Sequence, residues 1–133
     1  MQWLARFEAP VYAALRIIAG GMFSQHGMQK ILGFLSSAPP PAPGSQLWFG
    51  GLIELFGGAL VALGLFTRPA AFLTSGMMAV AYFQFHWKLQ LEAFKWLPLV
   101  NKGELAVLYC FVFLLIATHG PGRASLDPRF GRS

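Results

Sequence analysis

The stretch Gln46-Leu-Trp-Phe-Gly-Gly-Leu-Ile-Glu-Leu-Phe-Gly-Gly-Ala-Leu-Val-Ala-Leu-Gly-Leu-Phe66 decides the fold. It is 21 residues long, within the ~17–25 that a helix needs to cross a ~30 Å hydrocarbon layer. Glu54 is its one ionisable side chain. Gly50, Gly51, Glu54, Gly57 and Gly58 recur at spacings that put them on one helical stripe. Small residues let helix backbones approach closely and form the usual seam between membrane helices. Glu54 is therefore expected in a helix–helix seam, away from lipid.

Working outward, three more apolar stretches predict helices over about 10–35, 69–86 and 103–118. Pro10 suits a first turn, where its missing N–H is not needed. The run Ala38-Pro-Pro-Pro-Ala-Pro-Gly-Ser45 forbids helix and predicts a short stiff loop, with Ser45 as N-cap of the second helix. Thr67-Arg68-Pro69 predicts a tight turn in which Thr67 caps the third helix. Asn101-Lys-Gly-Glu104 has the form of a capping box for the fourth, and Gly120-Pro-Gly122 stops it. The more polar segment 86–102, with Trp87 and Trp96, is expected to lie along a membrane surface as a short amphipathic piece.

Composition agrees. The chain is 133 residues, 56% hydrophobic and 11% charged, against ~45–50% and ~25% in an ordinary soluble domain. Too little charge remains for a polar coat. The expected fold is all-α: one domain, residues 1–133, an integral membrane four-helix bundle. Arg6 and Glu8 precede the first apolar run without a small-residue cleavage site, so the N-terminus reads as the start of the first helix. Four crossings place both termini on one side. That side holds Arg6, Arg68, Arg123, Arg129 and Arg132, against Lys30, Lys88, Lys95 and Lys102 on the other, which favours cytoplasmic termini. The net charge of +5 is scattered among segment ends, a pattern that fits membrane lipid as partner and excludes nucleic acid. The lone Cys110 allows no internal disulfide and no paired-thiol chemistry.

The functional candidates are the ionisable residues at membrane depth: Arg16, His26, Lys30, Glu54 and His86, with Glu104 at the mouth of the fourth stretch. Such residues are costly in lipid and mark function or pair with one another. Counting ~1.5 Å per residue from the terminal side, Arg16 lies ~9 Å deep, Glu54 ~18 Å, and Glu104, His26, His86 and Lys30 ~21–30 Å. Arg16 is then within reach of Glu54 from the other side. Four readings of the set stand open. The charges can neutralise one another and bind nothing. They can hold a quinone-like molecule, with His, Glu and Lys at its oxygens and Trp48, Phe49, Phe83 and Phe85 as an apolar wall. His26, His86, Glu54 and Glu104 are also of metal-ligand type, although no close-spaced pair supports a metal site. A proton-coupled transport path is the fourth, with only four helices and no internal repeat to support it.

In order along the chain, Arg16…His26-Gly27-x-x-Lys30-x-x-Gly33-Phe34, Gly51-x-x-Glu54-x-x-Gly57-Gly58, Gly64-x-x-Thr67-Arg68-x-Ala70-Ala71, Ala81, His86, Asn101-x-Gly103-Glu104-Leu105-Ala106 and Gly120-Pro-Gly122-x-x-Ser125-Leu126-Asp127 resemble the DoxX family of small membrane proteins. The resemblance implies a four-helix membrane bundle with both termini inside, in the bacterial inner membrane. It also implies a link to redox and sulfur metabolism, as in subunits of a thiosulfate:quinone oxidoreductase, while distant relatives act as chaperones or cargo adaptors. Relatives with dithiol chemistry use paired cysteines, which this chain lacks. The resulting expectation is a redox-associated subunit binding a quinone-like amphiphile. Glu54 and His26 would handle protons, Lys30 and His86 would contact the head group, and Arg16 would hold Glu54 ionised. With no flavin, haem or iron–sulfur motif, electrons would come from a protein partner. The competing expectation is a scaffold or assembly factor, self-associating or bound to another membrane protein, whose charges serve packing. No residue is assigned a catalytic role.

Overall fold

A computed structural model describes residues 1–130, and among them the structure is helical throughout, without a strand. Arg132, counted above on the basic terminal side, lies outside the described residues. The four long helices are α1 (Glu8–Leu32), α2 (Gln46–Leu63), α3 (67–87) and α4 (Glu104–His119).

Their boundaries have local causes. α1 stops at Leu32, before the expected 35, because Gly33 turns left-handed at φ 65°. α2 opens on Ser45, whose Oγ accepts from the Trp48 N–H at 3.2 Å, and closes before the expected 66 because Gly64 is left-handed at φ 67°. α3 starts at Thr67 with a cap supplied from far along the chain. The Asp127 carboxylate accepts from the N–H groups of Phe66 (2.7 Å) and Thr67 (2.8 Å), so the cap expected from Thr67 comes from the C-terminal tail. α4 begins at Glu104 behind Gly103. Asn101 is displaced from the expected capping role because Lys102 is left-handed (φ 58°) and separates it from the helix. Asn101 Oδ1 accepts instead from the Gly103 N–H at 2.8 Å.

Segment 86–102, expected as a short amphipathic piece, forms no long helix. α3 carries on through a π-helical stretch, Tyr82–Trp87, and the chain then turns repeatedly through left-handed Lys88, Leu89, Ala93 and Phe94. Short turns at Glu92–Phe94 and Pro98–Asn101 are all the helix it contains, since each positive φ ends a run.

α1 packs along α2, α2 along α3, and α3 along α4. The α1–α2 contact is backbone against backbone. A Cβ placed on Gly20 would stand 2.6 Å from the Ala62 nitrogen, one on Gly58 would stand 2.6 Å from the Ser24 nitrogen, and one on Gly27 would overlap the Leu55 backbone. On the other face of α2, a Cβ on Gly57 would lie 2.6 Å from Thr74 Cγ2 of α3. The interior mixes small residues (Ala19, Ala70, Ala71, Ala106) with Phe23, Phe113 and Ile116, whereas Phe56, Phe72 and Phe111 are 61%, 68% and 64% exposed. Small residues inside and large apolar ones outside is the arrangement of helices packed in lipid. By length and composition alone, Gln46–Leu63 is the one described helix able to cross a membrane, with a mean hydropathy of 1.5; Glu104–His119 is apolar but shorter. α1 has the length, 25 residues, but Arg16, Ser24 and Lys30 dilute its apolarity.

The close approach yields a paired prediction. Gly27→Ala should separate α1 from α2 and lower stability by ~1–3 kcal/mol, as overpacking does. Gly21→Ala, on the same helix but with open space where its Cβ would go, should be neutral or stabilising by ~0.5–1 kcal/mol through helix propensity. Unfolding midpoints in mild detergent, compared between the two variants, check both.

Candidate functional site

The site is built on an irregularity in α2. Over Ile53–Gly57 the helix widens to π geometry, and Glu54 sits in this stretch. Such one-turn widenings leave backbone groups short of regular partners and recur at functional positions. Here Ser24 Oγ of α1 donates to the Leu55 carbonyl at 2.9 Å. The glycine contact sets α1 close enough for Lys30, near its end, to reach across to α2. Lys30 Nζ donates to Glu54 Oε1 at 2.6 Å, an ion pair whose carboxylate is 4% exposed and whose lysine is 38% exposed. Glu54 Oε2 is buried and has no hydrogen-bond partner.

A cavity of about 390 Å³ opens against this pair. Its polar lining is His26, Lys30, Gln46, Glu54, His86 and Lys102; its apolar walls include Phe23, Met77, Met78, Phe85 and Tyr109. A few placed polar groups on a mostly apolar wall is the general form of a small-molecule site. His26 is exposed, on the open side. His86 is half-buried, with Nδ1 3.3 Å from the Asn101 carbonyl oxygen. A Gln46–Gln84 hydrogen bond ties the start of α2 to the end of α3.

The structure thus gathers His26, Lys30, Glu54 and His86 around one space. It leaves two predicted residues apart. Glu104 is exposed in the first turn of α4, where its charge suits the helix N-terminus, and it does not line the cavity. Arg16 is fully buried at the opposite end of the molecule. Its Nη1 donates to the carbonyls of Val61 (2.6 Å) and Ala62 (2.7 Å), and its Nη2 to those of Ala124 (2.7 Å) and Arg123 (3.3 Å). The expectation that Arg16 holds Glu54 ionised is corrected: Lys30 is the partner. Arg16 lies level with Val61, seven residues along α2 from Glu54, or ~10 Å at 1.5 Å per residue. Its work is to satisfy the carbonyls that end α2 and to bind the tail.

Of the aromatic wall expected, Phe85 lines the cavity, while Trp48, Phe49 and Phe83 do not. Met78 belongs to the buried core and Met77 packs against it, and both also border the cavity; Gln46, Lys102 and Tyr109 went unsuspected. One signal for the methionines was present. Gly50 shares the stripe of Glu54, and the position of its missing Cβ is 4.0 Å from Met77 Sδ, so the glycine makes the room that the methionine borders. The His and Glu residues of metal-ligand type do not come together as a set of three among the described residues.

Comparison with known proteins bears on the whole chain. The DoxX family model matches residues 11–87, which include α1 from Val11 onward, α2, α3 and all of the cavity-lining residues before Lys102. A protein of Haemophilus influenzae, described only as uncharacterized, is 38% identical over 133 residues, covering 98% of each chain. No solved structure matches.

The division of labour between the two buried charges is testable. Arg16→Met removes a donor from four carbonyls, of which that of Val61 keeps the Gly64 N–H and those of Arg123 and Ala124 belong to exposed residues; at ~1–3 kcal/mol for a buried acceptor left unpaired the protein should lose a few kcal/mol of stability in detergent. Arg16→Lys should not rescue it, since one ammonium lacks the planar fork that reaches both carbonyl pairs. Glu54→Gln, which only softens a partly exposed ion pair, should be far milder in the same unfolding assay.

Proposed function

The chain belongs to the DoxX family, and from that premise we propose that it is a multi-pass protein of the bacterial inner membrane which binds a quinone-like small amphiphile as a redox-associated subunit. The membrane part of the reading, a bundle crossing four times with both termini in the cytoplasm, is supported by the apolar exterior and by the order in which the four helices pack. Tyr12 at the start of α1 donates to the Gly120 carbonyl at 2.6 Å, and the Leu126 N–H meets the Gly64 carbonyl at 3.0 Å. The start of α1, the α2–α3 turn and the end of α4 therefore share one end of the bundle, as an even number of crossings requires.

The observation that carries the ligand part is the bare Oε2 of Glu54. An unpaired buried acceptor costs ~1–3 kcal/mol, a cost that a donor on a ligand would remove. Here the free oxygen belongs to a residue that lines an open cavity walled by methionine and aromatic side chains. The residues fit a quinone-type ring. Lys30, His26 and His86 offer donors to its oxygens, and Met77, Met78, Phe23 and Tyr109 offer apolar contact to its faces. A bound quinone supplies two-electron redox chemistry. Glu54 and His26 take up and release the accompanying protons, one deep in the cavity and one toward its open side, and Lys30 orients the carboxylate. Electrons come from a partner protein.

Two measurements test this. Organic-solvent extraction of protein purified in mild detergent is expected to give quinone at about one per chain from the native sequence and markedly less from a folded Glu54→Gln variant. Quinone no higher than in empty micelles would overturn the reading, and loss of assembly in the variant with no ligand in either protein would favour a scaffold. Reporter fusions at both ends should show cytoplasmic termini; a periplasmic signal from either end would sink the topology.

A further inference from the structure

The groups around the cavity also specify the chemistry of the ligand head. We infer that it is a neutral hydrogen-bond donor, the hydroxyl of a dihydric phenol, so that the site favours a hydroquinone over the corresponding quinone. This rests on the cavity being the ligand site proposed above.

Among the residues that line the cavity, the buried polar atom left unsatisfied is an acceptor. Glu54 Oε2 is buried without a partner while Oε1 is held by Lys30, and an ionised carboxylate offers lone pairs and no proton. A quinone carbonyl placed against Oε2 would set acceptor against acceptor. A hydroxyl completes the carboxylate, and a hydrogen bond to a charged group is among the stronger kinds. The donor must also be uncharged. Lys30 and Lys102 line the cavity against the single carboxylate, so an ammonium ligand would meet like charge there. An anion placed against Oε2 itself would meet the charge of the carboxylate. The wall then asks for a ring: Phe23 and Tyr109 stand 5.3 Å apart centroid to centroid beside Met77 and Met78, surfaces suited to an aromatic body through sulfur–ring and ring–ring contact. The second hydroxyl oxygen of the same ring has donors available in the remaining Lys30 protons and in His86. The Nδ1 of His86 faces the Asn101 carbonyl, while its Nε2 has no hydrogen-bond partner among the described residues.

Equilibrium dialysis of the full chain in detergent micelles, corrected with empty micelles, tests the inference using tetramethylhydroquinone kept reduced under argon, tetramethylbenzoquinone, and the dimethyl ether of the hydroquinone. The hydroquinone should bind roughly ten- to a hundredfold more tightly than the quinone, the range expected for a hydrogen bond to a charged group. The ether, which keeps the ring and loses both donors, should bind as weakly as the quinone. In Glu54→Gln the preference should vanish. Should that variant not fold, the ether comparison on the native sequence decides alone. Quinone or ether binding as tightly as the hydroquinone overturns the donor inference and leaves the ligand site standing. A preference undiminished in folded Glu54→Gln likewise overturns it. Binding of none of the three overturns the ligand site and the inference together.

Discussion

Everything in this molecule hangs on two backbones touching. α1 and α2 meet through Gly20, Gly27 and Gly58, at distances no side chain would permit. That contact supplies no chemistry of its own. It sets the reach of Lys30, whose ammonium meets Glu54 only because the helices are this close, and it brings Ser24 to the Leu55 carbonyl in the widened turn. The buried ion pair is thus a product of packing. Its desolvation cost is offset by one short contact and by the partial exposure of the lysine. One carboxylate oxygen is left over, and the cavity lies beside it.

The two ends of the bundle answer different needs. At one end, buried charge is spent on closure: Arg16 gathers carbonyls from α2 and the tail, and Asp127 caps the start of α3. The four Arg16 hydrogen bonds and the two of Asp127 there all go to backbone groups. At the other end, Lys30 and Glu54 pair with each other, and together with His26 and His86 they border a space. The contrast separates a structural charge from a functional one more cleanly than depth in the membrane does. Arg16 is the more deeply buried of the two long cations, yet it has no open wall to serve.

Much of this was legible because it follows from helical period. Gly50, Gly51, Glu54, Gly57 and Gly58 fall on one stripe in any straight helix, so the seam and its carboxylate could be read from spacing. The gathering of His26, Lys30 and His86 with Glu54 followed from counting rise per residue. What stayed hidden was what a sequence does not print. Backbone carbonyls carry no letter, so the partners of Arg16 were invisible and the nearest carboxylate was taken in their place. Asp127 was visible in the Gly120–Asp127 pattern but not as a cap, since a cap that arrives from 60 residues away leaves no local signature. The left-handed turns at Lys88, Leu89, Ala93 and Phe94 fall on residues with no preference for that geometry, so the broken path of the chain through 86–102 could not be read.

The clasp around Arg16 also imposes an order of events on biosynthesis. Arg16 is made well before the carbonyls of Val61 and Ala62, and those of Arg123 and Ala124 follow it by more than a hundred residues. Until they emerge the guanidinium has only half its acceptors. Asp127 likewise has to be made before it can seat against the start of α3, so this end of the bundle closes later than the glycine seam between α1 and α2.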